Sequence, residues 1–310
     1  MNILYSRQPS ARGEIRPVLL IHGGAGPRTT ELALQAAQDY RRGLQDALDS
    51  GRSALVAGQS ALDAVCAAVM VLEDNPLFNA GRGASLTREG TAELDAAVMD
   101  GDGRAGAVAV SRYARNPVLA ARAVLERTDH VLLVSPTAEL AAGWYLATVE
   151  PDYFVTAHRQ KQLDEVLQRE IAPSKSGTVG AVAIDASGGV ACATSTGGMV
   201  AQAVGRVGDT ALIGAGSFAS SKSIAVSCTG EGEAFIQGVV GHDIAARVRY
   251  GGATLEGSTR ATYDEELAGR GATGGTIALT PQGEALIAHN SNAMFAGHWD
   301  GDGDHSAVYA

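Results

Sequence analysis

After residue 178 the chain breaks into short apolar runs, and glycine stops nearly every one of them. Val179–Ile184, Val190–Thr194, Ile224–Cys228 and Thr276–Leu279 each have strand length and are separated by Gly-Gly or Asp-Gly-type turns. The first half is punctuated in the same way: Pro17-Val-Leu-Leu-Ile21 runs into His22-Gly-Gly-Ala-Gly26. Glycine makes up 39 of 310 residues, against roughly 7% in average proteins, and it has no collagen period. These glycines therefore serve tight turns and close backbone approaches.

Helical patterns are grouped rather than alternated with strands. Residues 30–50 place Tyr40, Leu44, Ala47 and Leu48 on one face, and Ser60-Ala-Leu-Asp63 is a capping-box-like start to the apolar stretch Ala64 to Leu72. Strands are expected at 84–86, 92–99, 107–110 and 131–134. Helices are expected from 117 to 125, from 138 to 147, and as one long element from Phe235 to Tyr250. Residues 158–170 are charged and read as an exposed helix, with a loop-like stretch from 172 to 177. Elements in blocks favour an α+β sheet sandwich over a doubly wound sheet.

Charge excludes several functions. The net charge is −10 and there is no Lys/Arg cluster, which argues against a nucleic-acid partner. No apolar run approaches the length of a membrane span, and the start turns polar too soon for a signal peptide. Cys66, Cys192 and Cys228 are odd in number and lie in apolar settings. They read as buried thiols of a reduced, cytoplasmic compartment. The sequence has no Walker loop, no Gly-x-Ser-x-Gly elbow and no His-Glu-x-x-His. The acidic run Asp300-Gly-Asp-Gly-Asp304-His305 lacks the glycine and glutamate of a calcium loop, so it reads as a solvated turn.

What remains is a set of hydroxyls at strand ends beside glycines: Gly177-Thr178-Val-Gly, Thr194-Ser-Thr196-Gly-Gly-Met199, Gly205-Arg-Val-Gly-Asp209 and Cys228-Thr-Gly-Glu-Gly-Glu233. Taken singly, each is an ordinary β-turn with a satisfied hydroxyl. Together they resemble the plant-type L-asparaginase / isoaspartyl aminopeptidase family of N-terminal nucleophile (Ntn) hydrolases. His22-Gly-Gly-Ala-Gly26, Pro76-Leu-Phe-Asn-Ala-Gly81, Glu93-Leu-Asp-Ala-Ala-Val-Met-Asp-Gly101 and Arg115-Asn-Pro-Val-Leu-Ala-Ala-Arg122 extend the resemblance, in order, over nearly the whole chain.

The resemblance implies a four-layer αββα sandwich, cleaved by itself at Gly177–Thr178. The products are an alpha subunit 1–177, with a flexible tail over about 156–177, and a beta subunit 178–310; the assembly is (αβ)2. It implies hydrolysis of L-asparagine and of β-aspartyl dipeptides. Thr178 is then the nucleophile and, through its freed α-amine, the base. Thr196 tunes it, and Thr229 with Gly230 forms the oxyanion hole. Arg206 and Asp209 grip the substrate α-carboxylate and α-ammonium, Gly232 offers backbone contact, and Asn79 lies near the nucleophile.

No cofactor is implied for catalysis. A structural sodium ion is implied, held by the backbone carbonyls of Leu72, Glu73, Asn75, Phe78, Ala80 and Arg82. Departures from the family pattern are Asn290-Ser-Asn-Ala-Met294, Arg82 in place of an apolar residue, and Phe218 where tyrosine is frequent. The alternatives are a glycosylasparaginase-like or threonine-aspartase-like enzyme on the same fold, and an unprocessed, non-enzymatic scaffold.

Overall fold

The structure is a computed structural model, and it describes residues 1–9, 14–26, 34–169, 177–301 and 306–309. The strands are β1 (Asn2–Arg7), β2 (Val18–Gly26), β3 (Leu94–Asp100), β4 (Ala105–Ser111), β5 (Leu132–Val134), β6 (Val179–Ile184) and β7 (Val190–Thr196). They continue with β8 (Ser217–Ala219), β9 (Ala225–Gly230), β10 (Gly274–Leu279), β11 (Ala285–His289), β12 (Ala293–Trp299) and β13 (Ser306–Tyr309). The helices are α1 (Leu34–Val56), α2 (Ala61–Asp74), α3 (Pro117–Arg127), α4 (Ala138–Gly143), α5 (Ala157–Gln168), α6 (Gly232–Gly238), α7 (Val240–Gly251) and α8 (Leu255–Thr262).

Among the described residues the strands form two sheets. One has the order β13-β12-β2-β6-β7-β3-β4-β5 and the other β1-β11-β10-β9-β8. The two-residue alternation of a strand sorts the core. Leu19, Ile21, Val98, Ala181 and Ala183 face α1, α2 and α3. Val18, Leu20, Val182, Ile184 and Cys192 face Ile277, Leu279 and Ile287 of the second sheet. Val226, Cys228, Ala278 and Leu286 pack outward against Phe235, Val240, Ile244, Leu255 and Tyr263. The chain is thus a mixed α+β structure whose central strands are buried. All three cysteines are free and buried, as expected for inert thiols.

Helix α2 starts as its sequence predicts: Ser60 Oγ accepts from Asp63 N, and the Asp63 carboxylate accepts from Ser60 N. Three expectations are corrected. The single helix from Phe235 to Tyr250 is two, α6 and α7, because Val239 adopts φ 45° and ψ 45°. The break lets the first amides of α7 donate outward, Gly241 N to Ala215 O (3.0 Å) and His242 N to Gly214 O (2.7 Å). Residues 84–86 are not a strand. A 3-10 turn occupies Gly81–Gly83, Leu86 forms only an isolated bridge to Ala92, and Asn79 Oδ1 takes the Ser85 amide at 2.7 Å.

The stretch read as a flexible tail is helix α5 over Ala157–Gln168, with Arg159 buried and its Nε donating to Gly83 O at 2.6 Å. The rest of that tail, 170–176, lies outside the described residues, as do 302–305 of the acidic run. Among the described residues no helix is long and apolar enough to cross a membrane.

Candidate active site

The strand order explains why residues far apart in sequence meet. β6 starts with Val179 beside the central β2 and β7, so Thr178 sits at a strand mouth between the sheets. β7 ends at Thr196, and the Thr178 Oγ1 hydroxyl donates to Thr196 Oγ1 at 3.2 Å. Thr196 Oγ1 also accepts from Gly198 N at 3.0 Å, which fixes it from the turn that follows. From the opposing sheet, near the end of β9, Thr229 Oγ1 accepts from Thr178 N and from Ala25 N, both at 3.1 Å. Two accepted bonds leave the Thr229 hydroxyl proton as its remaining capacity, so this oxygen can donate toward a developing oxyanion. Thr178, Thr196 and Thr229 are all buried.

Behind the nucleophile lies a histidine to which sequence reasoning gave no role. His22 Nδ1 is 2.9 Å from Thr178 O, and Nε2 is 2.8 Å from Ser227 Oγ, itself 2.7 Å from Thr194 Oγ1. Burial holds the imidazole down to about 3, so it is neutral. A carbonyl only accepts, so Nδ1 carries the proton, Ser227 donates to Nε2, and Thr194 donates to Ser227. Its place in His22-Gly-Gly-Ala-Gly26, next to the glycine cluster, was the available signal.

The glycines of that cluster act by contact. Gly24 has φ +116°, and a Cβ on it would lie 2.6 Å from Gly177 Cα; a Cβ on Gly177 would lie 2.5 Å from Gly24 Cα. Neither position admits a side chain, so the bond before Thr178 is pressed against bare backbone.

Arg206 and Asp209 complete a cleft lined by Thr178, Thr196, Gly198, Met199, Gly230 and Gly232. Arg206 Nε donates to Glu233 Oε1 at 2.9 Å, and another guanidinium nitrogen donates to Gln202 Oε1 at 3.3 Å. Asp209 is buried, and its Oδ2 lacks a hydrogen-bond partner among the described residues. Burial pushes its carboxyl up to about 7, with Arg206 drawing it back down. A Cβ on Gly232 would meet Asp209 Oδ1 at 2.7 Å and an Arg206 guanidinium nitrogen at 2.9 Å, so glycine there makes room for the pair. A carboxylate beside a guanidinium can hold an ammonium and a carboxylate on one substrate carbon.

Asn79 shapes the cleft floor. Its Nδ2 donates to Gly198 O at 2.8 Å, and its carbonyl accepts from Gly197 N at 3.1 Å. The departures also find places. Asn290 Oδ1 accepts from Gly274 N (2.7 Å), and Gly274 packs on Gly230; Phe218 stands edge-on to His242.

The loop from Leu72 to Arg82 is rich in closely packed backbone carbonyls. Leu72 and Glu73 lie in the last turn of α2, where carbonyls lack helical partners. A Cβ on Gly81 would lie 2.4 Å from Glu73 O, and one on Gly83 would lie 2.0 Å from Phe78 O. Asn75 O and Ala80 O accept from Phe78 N and Gly83 N. The glycines therefore wind these carbonyls into a tight, oxygen-only loop, a donor set that suits a hard cation.

Known proteins resemble the chain over nearly its whole length. Residues 15–308 match the asparaginase family. The chain is 45% identical to the isoaspartyl peptidase of Salmonella typhimurium over 95% of its own length and 99% of that protein. It is 44% identical to the isoaspartyl peptidase of Escherichia coli, covering 95% and 96%. It is 38% identical to the isoaspartyl peptidase/L-asparaginase of Xenopus laevis, covering 95% and 96%.

Proposed function

Because the chain belongs to the asparaginase family, we propose that it hydrolyses the side-chain amide of L-asparagine and the isopeptide bond of β-aspartyl dipeptides through a Thr178 acyl-enzyme. The observation that carries this reading is the meeting, in one cleft, of the Thr178 and Thr196 hydroxyls with Arg206 and Asp209. The fold is read as an αββα sandwich that matures by cutting its own Gly177–Thr178 bond.

In the uncleaved chain Thr178 Oγ1 attacks the Gly177 carbonyl. The peptide becomes an ester by an N→O shift, and water then releases the two subunits and frees the Thr178 amine. That amine has a reference pKa of about 7.7–8.0, near working pH. It takes the Oγ1 proton as Oγ1 attacks the substrate side-chain carbonyl.

The oxyanion is met by the Thr229 hydroxyl and Gly230 N–H. The departing ammonia or amine leaves with the proton, and water returns Thr178 by hydrolysing the ester. Arg206 and Asp209 hold the aspartyl head throughout, so the departing group points away from the clamp. A sodium ion in the Leu72–Arg82 loop would brace α2 and the Asn79 turn and take no part in the chemistry. Pairing of two processed units as (αβ)2 and a cytoplasmic location complete the proposal.

Intact mass under denaturing conditions tests the central step. Pieces of about 18 and 14 kDa, by residue share of the chain, with the smaller one starting at Thr178, are expected. Thr178→Ala should remain at 31.7 kDa and be inactive on β-aspartyl-leucine. A persistently uncut and active parent protein would overturn the mechanism. Turnover of glycosylated asparagine alone would overturn the substrate assignment.

A further inference from the structure

We propose that Asp95, assisted by Glu93, is a positioning residue that locks the loop bearing Arg206 and Asp209 in register with the nucleophile. The inference rests on the reading that those two residues hold the substrate head.

The two acids stand two residues apart, Glu93 just before β3 and Asp95 within it. Each grips one end of the same short loop. Glu93 Oε2 accepts from Gly205 N at 2.7 Å, and Asp95 Oδ2 accepts from Gly208 N at 2.8 Å. Arg206 lies between those two amides, and Asp209 follows directly. Both carboxylates are buried, at 2% and 3% exposure, so neither bond faces competition from water. Glu93 is further anchored by its ion pair with Arg112.

Asp95 is also where the sheet itself is irregular. The β3–β4 register shifts between Leu94, opposite Ser111, and Ala96, opposite Val108. This bulge leaves Val110 at φ +54°, a conformation that a β-branched residue rarely takes. The Val110 amide, turned from the ladder, donates to Asp95 Oδ1 at 3.0 Å. The extra residue lies on β4, so Ala109 and Val110 together face Asp95, and the bulge turns the Val110 amide onto that carboxylate.

On its other edge β3 pairs with β7, and the partner of Asp95 is Thr196. One residue therefore has its backbone beside the hydroxyl that receives the Thr178 bond and its carboxylate on the loop that carries the clamp. Burial pushes this carboxyl up to about 6 while the Gly208 and Val110 amides draw it down, as expected of an acid retained for two backbone bonds.

The test is steady-state hydrolysis of β-aspartyl-leucine by the full-length, matured enzyme, with chain cleavage measured in parallel. Asp95→Asn keeps the shape but sets an NH2 against one of two amides. It should raise KM by about tenfold or more, with kcat within about threefold of the parent and cleavage complete. Glu93→Gln should raise KM by a smaller factor, and it decides the matter if Asp95→Asn does not fold.

KM unchanged in the folded variants would overturn the inference. So would a fall in kcat and in self-cleavage accompanying the rise in KM, since that is how a purely structural residue behaves. Arg206→Ala separates the layers. A raised KM there with none in Asp95→Asn sinks only the positioning role, whereas an unchanged KM in Arg206→Ala removes the clamp reading and this inference with it.

Discussion

Thr178, Thr196 and Thr229 lie at the mouths of three strands and hold one another through neutral hydroxyls, whereas Arg206 and Asp209 ride on a loop and a 3-10 turn and are ionisable groups. The first group needs no support beyond the ladders, because strands from two packed sheets already fix position to within a hydrogen bond. The second group has no ladder to rely on. Its place is set by buried carboxylates on β3 and by glycines at 208 and 232 that let charged groups approach. Bond-making is thus assigned to the stiffest part of the molecule and recognition to a part held by polar bonds.

Substitutions should respect that division. Thr229→Ala removes the acceptor shared by Thr178 N and Ala25 N together with the oxyanion donor. It should lower kcat by about 100- to 1,000-fold and also slow self-cleavage, as followed by subunit mass. Arg206→Lys should leave cleavage untouched and raise KM on the order of 10- to 100-fold, since lysine lacks the bidentate fork. If Arg206→Lys blocked cleavage, the two regions would not be separable.

The smallest effect is one of pH. Asp209 sits near 7 in the free enzyme because burial disfavours its charge, and a substrate ammonium binds only the charged form. KM should therefore climb about tenfold for each unit below about 7. That slope should vanish in Asp209→Asn, whose KM is high throughout. For the free protein the linkage has the opposite sign. A folded value above that of the unfolded chain stabilises the fold at acid pH, and that contribution is lost as pH rises through about 7.

Much of this was readable in advance where a residue type has one strong reason to be there. The Ser60–Asp63 capping box, the buried thiols, the strand at Val179–Ile184 and the hydroxyls beside Gly230 and Gly197 all follow from local chemistry. Val239 was not readable. Gly238 and Gly241 flank it, yet the left-handed residue is the β-branched Val239 itself, and the break is favoured by bonds to Gly214 and Ala215. Helix α5 was readable from its charged run, but not its buried Arg159, which reaches Gly83. His22 was noticed for its glycines and missed for its imidazole, because its partners Thr178 and Ser227 are 156 and 205 residues away.

By itself the sequence determined the alternation of short strands and the glycines between them, since each depends on neighbours within a few residues, while the groups proposed for the chemistry came from its resemblance to a family. Only the tertiary structure decided how those groups face one another. The order β2-β6-β7-β3 in one sheet against β9 and β10 in the other sets Thr178 between Thr196 and Thr229. A bulge in β4 turns the Val110 amide onto Asp95, whose carboxylate also holds the loop that carries Arg206. Such placements come from pairing and packing between distant segments, whose free energy exists only once the sheets have closed on each other.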